Sequence, residues 1–190
     1  MKSVLISIHP KWVEKIANGE KTIEVRKSAP KEVPFKCYIY ETQGRTETPW
    51  IDEDGHFIYK GRGQVIGEFI CDRIEMVNAK CSDYGIDLFY HDCLTNGCLT
   101  EREIEKYFNV PEDRDLRAMK GNGYVWNISD LKIYDKPREL SEFSRPCSYR
   151  GLCFSCKRTS FKKDGNLLCN TKITRPPQSW MYVEDLGEKE

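Results

Sequence analysis

The sequence predicts an α+β fold, a small, mixed, partly closed β-barrel with short helices. Six or seven apolar or alternating segments are typical of strands, and most are joined by short connections. Only three short segments suggest helices, and they do not alternate regularly with the strands, which argues against a doubly wound parallel sheet. With 190 residues, 39% of them hydrophobic, the chain is long enough for one domain with a real core.

The first quarter of the chain contains the clearest elements. Residues 4–8 are predicted to form a strand, and Pro10 stands at a favourable first position for the helix that follows. Asn18-Gly19 suits the left-handed dihedrals that end a helix. Strands are then predicted over residues 21–27 and 37–42.

We take residues 1–190 as a single domain with three insertions: a hairpin at 43–62, a helical insertion at 78–121 and a Cys-rich basic insertion at 144–172. After the hairpin, the sequence predicts a long strand over 64–77, with a bulge or close backbone approach at Gly67, and irregular structure over 78–99. A helix is predicted from Thr100 to Phe108, beginning with a capping box to Glu103, and a short helix from Pro111 to Gly121. The last predicted elements are a long strand over 123–134, a connector over 137–143 and a final strand over 180–183.

The charges are unevenly distributed, although the formal net charge is zero. Residues 145–175 contain eight Lys/Arg and one acid, whereas residues 72–115 contain eleven acids and five Lys/Arg. A basic block suits phosphate contacts, and it equally suits simple solubility. The acidic stretch leaves open another class of function, an interaction protein such as a phage factor that sequesters a host partner.

The apolar segment before His9-Pro10 is too short for a signal peptide, and no run of about 18 apolar residues predicts a membrane span. We therefore expect a cytoplasmic protein without membrane contact. A monomer is a separate expectation, which no sequence pattern determines. Nine cysteines, an odd number, do not fit a disulfide framework in that compartment.

Four cysteines have spacing suited to a structural zinc site. The close pair Cys153 and Cys156 can bind one metal, and Cys147 and Cys169 can complete a tetrahedron. The segment has few large apolar residues, so a metal would supply folding free energy that burial cannot. An iron–sulfur cluster and unligated thiols remain alternatives. A weaker set, Cys81, Cys93, Cys98 and His91, permits a second metal, while Cys37 and Cys71 lie in predicted strands and are expected in the core.

The segment Gly19-Glu20-Lys21-Thr22-Ile23-Glu24-Val25-Arg26 is the most informative in the chain. Ile23 and Val25 alternate with polar residues, so one strand face carries a carboxylate beside a guanidinium, with Lys21 at the mouth of the strand. Three charged groups that converge near a helix end can bind a polar ligand. A solvated strand face with a surface ion pair is the alternative interpretation.

Together with Ser7-Ile8-His9-Pro10-x-Trp12, the pattern Gly19-x-Lys21-x-x-Glu24-x-Arg26 resembles the signature of the ASCH domain family, which is similar to the PUA RNA-binding domains. The Pro-Pro-Gln-Ser-Trp sequence at 176–180 resembles a version found in bacterial and phage-encoded proteins. The resemblance implies a PUA-like β-barrel with a cleft beside the first helix, in which Lys21, Glu24 and Arg26 line the floor. It also implies binding of RNA or of a modified nucleotide.

Some members of the family hydrolyse acylated cytidine nucleosides, and some are reported as ribonucleases. The hydrolase subset has Thr where this chain has Glu24, so the resemblance supplies no oxygen nucleophile. If the protein is an enzyme, Glu24 would act as a general base on water beside Lys21. Binding and hydrolysis therefore both remain open.

Recognition of a base in such a cleft needs stacking and edge-on hydrogen bonds. Besides Lys21, Glu24 and Arg26, the candidate ligand-binding residues are His9, Trp12, Trp126, Gln178, Ser179 and Trp180. The tryptophans are candidate stacking platforms or core residues, and the Gln178 amide can both donate and accept. His9 also stands where a residue could cap the first helix, and Gln178 and Ser179 could serve a turn after Pro176-Pro177.

Overall fold

A computed structural model of the chain describes residues 2–43, 50–51, 57–58, 60–110, 116–147, 159–161, 167–169 and 171–187, the backbone alone being described at 50–51, 57–58, 116, 159–161 and 167–169. Its elements are β1 (Lys2–Ile8), α1 (Pro10–Ala17), β2 (Ile23–Arg26), β3 (Phe35–Glu41), β4 (Trp50–Ile51), β5 (Phe57–Ile58), β6 (Val65–Cys71), β7 (Ile74–Asn78), α2 (Asp83–Leu94), α3 (Glu101–Phe108), β8 (Asn122–Asn127), β9 (Ser129–Arg138), β10 (Thr159–Phe161), β11 (Leu167–Cys169) and β12 (Trp180–Val183), with 3₁₀ turns at Leu116–Ala118 and Leu140–Glu142.

The described strands form two main sheets. A five-stranded sheet has the order β12-β1-β3-β6-β9, and a three-stranded sheet has the order β2-β8-β7. Strands β1 and β3 pair in parallel, whereas the other pairs are antiparallel. The predicted α+β class is confirmed, but the described strands form separate sheets and no closed barrel, so the predicted partial closure into a barrel is corrected to two main sheets.

Two chain segments pass from one sheet to the other, where the sequence predicts single long strands. The segment 64–77 breaks at Asp72-Arg73 between β6 and β7, and the segment 123–134 breaks at Ile128 between β8 and β9. The two corners are tied together, since the Asn127 side-chain amide donates to Asp72 at 2.8 Å and the Asn127 backbone N–H donates to the Arg73 carbonyl at 3.0 Å. Both strands thus turn at one place, which sets the two sheets against each other.

The core follows from this arrangement. One face of the large sheet packs against α1 and Trp126 of the small sheet, and its other face is covered by residues that include Phe143 and Ile173. Because β1 is a central strand covered on both faces, residues 3–8 are all buried. The far side of the small sheet packs against α2 and α3.

Helix α3 confirms the predicted capping box. The Thr100 hydroxyl accepts from the Glu103 backbone N–H, and the Glu103 carboxylate accepts from the Thr100 backbone N–H at 2.9 Å. The structure forms helix α2 within residues 78–99, where the sequence predicts irregular structure. Tyr84 and Leu88 are large apolar residues on the exposed side of α2, so the sequence lacks the one-sided apolar stripe by which a surface helix is normally recognised. Ser82 caps the N-terminus of the helix.

The insertions are described in part. Strands β4 and β5 pair antiparallel, as the predicted hairpin at 43–62 requires, and its turn lies outside the described residues. A 3₁₀ turn covers 116–118, while the predicted helix start at Pro111 is not among the described residues. In the Cys-rich insertion β10 pairs antiparallel with β11. No helix of the described chain is long and apolar enough to span a membrane.

Candidate functional site

A cleft of about 970 Å³ opens beside α1, where β1, β2 and α3 meet the segment before β12. The residues that line it are Ser7, Ile8, His9, Trp12, Lys21, Glu24, Val25, Arg26, Lys27, Tyr40, Thr42, Gln43, Leu99, Glu103, Lys106, Tyr107, Asn109, Pro176, Pro177 and Gln178. Six of the nine residues predicted to bind a ligand therefore line one cavity: His9, Trp12, Lys21, Glu24, Arg26 and Gln178.

Lys21, Glu24 and Arg26 form a buried ionic cluster. Lys21 Nζ lies 3.5 Å from Glu24 Oε2, and Arg26 Nε lies 2.9 Å from Glu24 Oε1. The three side chains are only 2%, 8% and 11% exposed. The alternative interpretation, a solvated strand face, is therefore wrong, because the charged groups meet inside the domain.

Hydrogen bonds within the cluster are incomplete. Glu24 Oε2 and Arg26 Nε are buried and have no hydrogen-bond partner among the described residues, so the Arg26–Glu24 contact is an ion pair without hydrogen-bond geometry. A buried polar atom without a partner costs about 1–3 kcal/mol. A ligand that donates to the Glu24 carboxylate would recover part of this cost.

The loop after α2 fixes the Lys21 ammonium. Lys21 Nζ donates to the Gly97 carbonyl at 2.7 Å, and the Asn96 carbonyl accepts from the Thr22 backbone N–H at 2.9 Å. Position 97 requires glycine, since a Cβ there would lie 2.6 Å from the Cys93 carbonyl oxygen. The segment interpreted as irregular thus holds one end of the cluster.

Ser7 connects the cluster to the C-terminal wall of the cleft. Arg26 donates to the Ser7 carbonyl at 2.7 Å, and the Ser7 hydroxyl donates to the Pro177 carbonyl at 2.6 Å. The Ser7 backbone N–H donates to the Ser179 carbonyl at 2.9 Å. Gln178 lines the cleft with an exposed side chain. Ser179 does not line the cleft, and its contribution is the backbone carbonyl that accepts from Ser7.

The three candidate stacking residues have different positions. Trp12 lines the cleft with its ring centre 5.3 Å from Lys21 Nζ. Trp126 is fully buried, which agrees with the alternative that it is a core residue and leaves it no exposed ring face for stacking. Trp180 lies outside the lining set, where its indole N–H donates to the Ser28 hydroxyl at 3.1 Å and its ring packs on Trp126. The face shared by Tyr124 and Trp126 points between the sheets.

His9 lines the cleft at the start of α1, and its side chain makes no capping hydrogen bond. Burial, and secondarily the charge of Lys11, lowers the pKa of His9, so its imidazole is neutral at pH 7. A neutral imidazole offers one donor and one acceptor to a ligand.

The sequence interpretation missed the wall that α3 contributes. Glu103, Lys106 and Tyr107 line the cleft from this helix. Lys11 of α1 reaches across to Glu103 with an Nζ–Oε1 distance of 3.1 Å. Burial alone would raise the pKa of Glu103, but hydrogen bonds from Thr100 and Lys11 outweigh it and lower the pKa. The capping box was a signal that α3 has a fixed position, but not that it faces the cleft.

The cysteines divide into core, loop and insertion residues. Cys37 and Cys71 are fully buried, which confirms the core prediction. Cys93 is also buried, and burial raises its pKa to about 12, so it stays a thiol. The described residues, which include Cys81, Cys98 and His91, contain no group of three or more side chains placed to bind a metal.

The predicted zinc ligands cannot be placed as a set. Cys147 is exposed, Cys153 and Cys156 lie outside the described residues, and Cys169 is described only by its backbone in β11. The zinc site therefore stays a prediction.

Comparison with known proteins settles the family. The ASCH domain model matches residues 6–120, which is more than half of the chain. The chain belongs to the ASCH domain family. This match covers the elements that carry the ionic cluster, Trp12 and Tyr107, whereas Pro176–Gln178 of the cleft wall lie beyond its end. No curated protein sequence matches the chain.

Solved structures of an ASCH protein from Zymomonas mobilis share the fold. The first is 16% identical with a TM-score of 0.55 and covers 96% of this chain and 88% of its own. Two variants of that protein match with the same identity and TM-score. The match to the Tyr-to-Phe variant covers 97% of this chain and 91% of the variant's chain, and the match to the Ser-to-Ala variant covers 96% of this chain and 89% of the variant's chain. The ASCH fold thus extends over nearly the whole chain, including strands beyond the family match.

Proposed function

We propose that this ASCH domain binds RNA, or a modified nucleotide, by enclosing one base in the cleft. The ASCH fold is a PUA-like fold, a class that is generally linked to RNA binding. The observation that carries the proposal is the buried Lys21–Glu24–Arg26 cluster at the floor of a 970 Å³ cleft.

A buried ionic cluster is poor evidence for stability alone. Removing charges from water costs several kcal/mol per ion, and well-packed apolar residues would often stabilise the domain equally well. Such local exceptions to good packing occur mainly at functional sites. The cluster is therefore best explained by what it offers to a ligand.

The chemistry of the cleft matches a nucleobase. Glu24 can accept from an exocyclic amine or a ring N–H, while Lys21 and Arg26 can donate to a ring nitrogen or a carbonyl oxygen. Trp12 presents a ring at the same cavity, and stacking on an aromatic side chain contributes about 1–3 kcal/mol per base. The exposed Gln178 amide adds a donor and an acceptor.

Binding of labelled single-stranded RNA with a random 12-nucleotide sequence tests the proposal. We expect Lys21→Ala and Trp12→Leu to weaken binding about tenfold or more, whereas Lys80→Ala, an exposed lysine away from the cleft, changes it less than twofold. Circular dichroism spectra confirm that each variant is folded. Wild-type protein that binds neither this RNA nor any ribonucleotide would overturn the proposal, as would cleft variants that bind as the control does.

The same incubation separates binding from hydrolysis. Lys21 and Glu24 are 3.5 Å apart, as a general base beside a cation would need to be. Chromatography of RNA and of an acylated cytidine after incubation detects products. Products that vanish with Glu24→Gln would make the protein an enzyme, while unchanged substrates support a binding protein.

The proposal extends to the Cys-rich insertion. Cys147, Cys153, Cys156 and Cys169 would hold one structural zinc, as expected for a bacterial or phage-type member with such an insertion, acting as a cytoplasmic monomer. Elemental analysis should find one zinc per chain, lost in Cys153→Ser. Metal-free protein with unchanged RNA affinity would contradict this part and leave the cleft proposal standing.

A further inference from the structure

Two exposed lysines, Lys27 and Lys106 (the rim lysines), line the cleft near Tyr107. Lys27 directly follows β2, and its Nζ lies 5.0 Å from the centre of the Tyr107 ring. Lys106 precedes Tyr107 in the last turn of α3. All three residues line the cavity, and both lysines are exposed to solvent.

These two lysines differ from the other cations of the cleft in their pairing. Lys21 and Arg26 share Glu24, and Lys11, which lies outside the lining set, pairs with the lining residue Glu103. Within the described parts of the chain, neither Lys27 nor Lys106 has an acid within ion-pair distance. The floor cluster has one excess positive charge, because two cations share one carboxylate, and the other two uncompensated positive charges of the cavity lining are these exposed lysines.

Tyr107 links the rim to the floor. The charges of Arg26 and Glu24 in the floor both act on its phenol. The ring itself is half-buried and lies beneath the Lys27 ammonium. If a base binds at the floor, a substituent of the same ligand that extends past Tyr107 would therefore lie near the ammonium groups of Lys27 and Lys106.

We propose that Lys27 and Lys106 form a phosphate subsite, so that the cleft takes a nucleotide with its phosphate still attached and discriminates against free nucleosides. This inference rests on the proposed binding of a base at the floor. Ammonium groups bind phosphate oxygens as point charges with three donors each. The attached phosphate belongs either to a free mononucleotide or to a phosphodiester-linked residue of an RNA strand, and the experiment distinguishes these sources.

The test compares ligands with and without phosphate. Calorimetry measures the affinity of the four ribonucleosides, of their 5′- and 3′-monophosphates and of inorganic phosphate for the wild-type protein. We expect at least one monophosphate to bind about tenfold or more tightly than its nucleoside, a preference that Lys27→Ala/Lys106→Ala removes without changing nucleoside affinity. Lys27→Arg/Lys106→Arg keeps the charge and should keep the preference.

The salt dependence of RNA binding provides an independent measurement. For the random 12-nucleotide RNA, the slope of log affinity against log salt should fall by about 0.7 for each rim lysine removed, or about 1.4 for the double alanine variant. Lys80→Ala/Lys132→Ala, two exposed lysines outside the cavity lining, should keep the wild-type slope. Lys106→Glu, on the exposed face of α3, supplies a second rim variant if the double variant unfolds.

The outcomes separate the two proposals. Wild-type protein that binds no nucleoside, nucleotide or RNA refutes the proposed function and this inference with it. Equal affinity for nucleosides and monophosphates, or an unchanged salt slope in the rim variants, refutes the phosphate subsite alone. A monophosphate preference without RNA binding assigns the subsite to free nucleotides, whereas a monophosphate preference together with RNA binding and the predicted loss of slope assigns it to a strand.

Discussion

Replacing Glu24 by Gln removes one negative charge from the centre of the cleft floor and keeps the shape of the side chain. The carboxylate lies 3.5 Å from Lys21 Nζ and 2.9 Å from Arg26 Nε, and all three side chains are almost completely buried. The variant therefore leaves two buried cations without their shared anion.

The expected cost is about 3 kcal/mol. Removing one partner of a buried ion pair typically costs about 3–5 kcal/mol, because the remaining charge is desolvated and uncompensated. The lower end applies here, since Lys21 still donates to the Gly97 carbonyl and Arg26 to the Ser7 carbonyl. With an m-value of roughly 2 kcal/mol/M, the urea midpoint should fall by about 1.5 M.

Urea unfolding at pH 7, followed by tryptophan fluorescence, measures the change. Glu75→Gln is the matched control, because Glu75 pairs with Arg73 at 3.4 Å on the surface and its side chain is 56% exposed. An exposed ion pair contributes at most about 1 kcal/mol, so this variant should unfold close to the wild-type midpoint. If Glu24→Gln and Glu75→Gln unfold at the same urea concentration, the cluster is not the buried ionic centre described above.

Three further predictions concern the scaffold around the cleft. Gly67→Ala should destabilise the domain by about 1–3 kcal/mol, because the new Cβ would lie 2.6 Å from a carbonyl oxygen of β9. The control Gly85→Ala should not destabilise it, because the new Cβ there would lie 3.4 Å from its nearest neighbour. Equal unfolding midpoints of the two variants would contradict this prediction. Thr100→Ala should cost about 1 kcal/mol through the lost capping box, measured by thermal and urea unfolding, and a neutral effect would show that the cap does not hold α3. Folding lowers the pKa of Glu103, so the ionised Glu103 side chain contributes its full stabilisation above pH 4.5, its ordinary pKa, and loses it as the pH falls through the lowered pKa. The wild-type protein should therefore be more stable than Glu103→Gln at pH 7, and this difference should fade at pH 3. A difference that grows on acidification would show that the pKa shifts in the opposite direction.

Local patterns predicted the elements around the cleft well. Pro10 and Asn18-Gly19 bound α1, the Thr100–Glu103 capping box begins α3, and the bulge predicted at Gly67 coincides with an irregular register between β6 and β9. These features depend on contacts within a few residues or on backbone geometry at a single position, which a sequence shows directly.

Features that depend on distant contacts were not predictable in the same way. The corners at Asp72-Arg73 and Ile128 exist because two strands turn together, and neither Gly nor Pro marks them in the sequence. Trp126 lies in a segment whose apolar and polar residues alternate, as in a half-buried strand. The pairing of β8 with β2 decides whether the Trp126 side of that strand faces a cleft or a second sheet, and the sequence does not show this pairing. The side of the cleft that α3 forms was hidden for the same reason.

The sequence predicts the parts of the candidate site that lie within one short segment, but not the contacts between distant segments. The charged face of β2 and the position of Trp12 follow from spacing in the sequence. The burial of the charges, the Gly97 carbonyl that holds Lys21 and the Ser7–Pro177 hydrogen bond join segments 76 and 170 residues apart, so no local pattern reveals them.

Photocrosslinking of wild-type protein to a 4-thiouridine-containing 12-nucleotide RNA, with mass spectrometric mapping of the adducts, tests the central claim most directly. The account predicts adducts on peptides that line the cleft, chiefly those with Trp12 and Tyr107, and their loss when Lys21 is replaced by Ala. Adducts confined to other surfaces, with the cleft peptides unmodified and Lys21→Ala without effect, would contradict it.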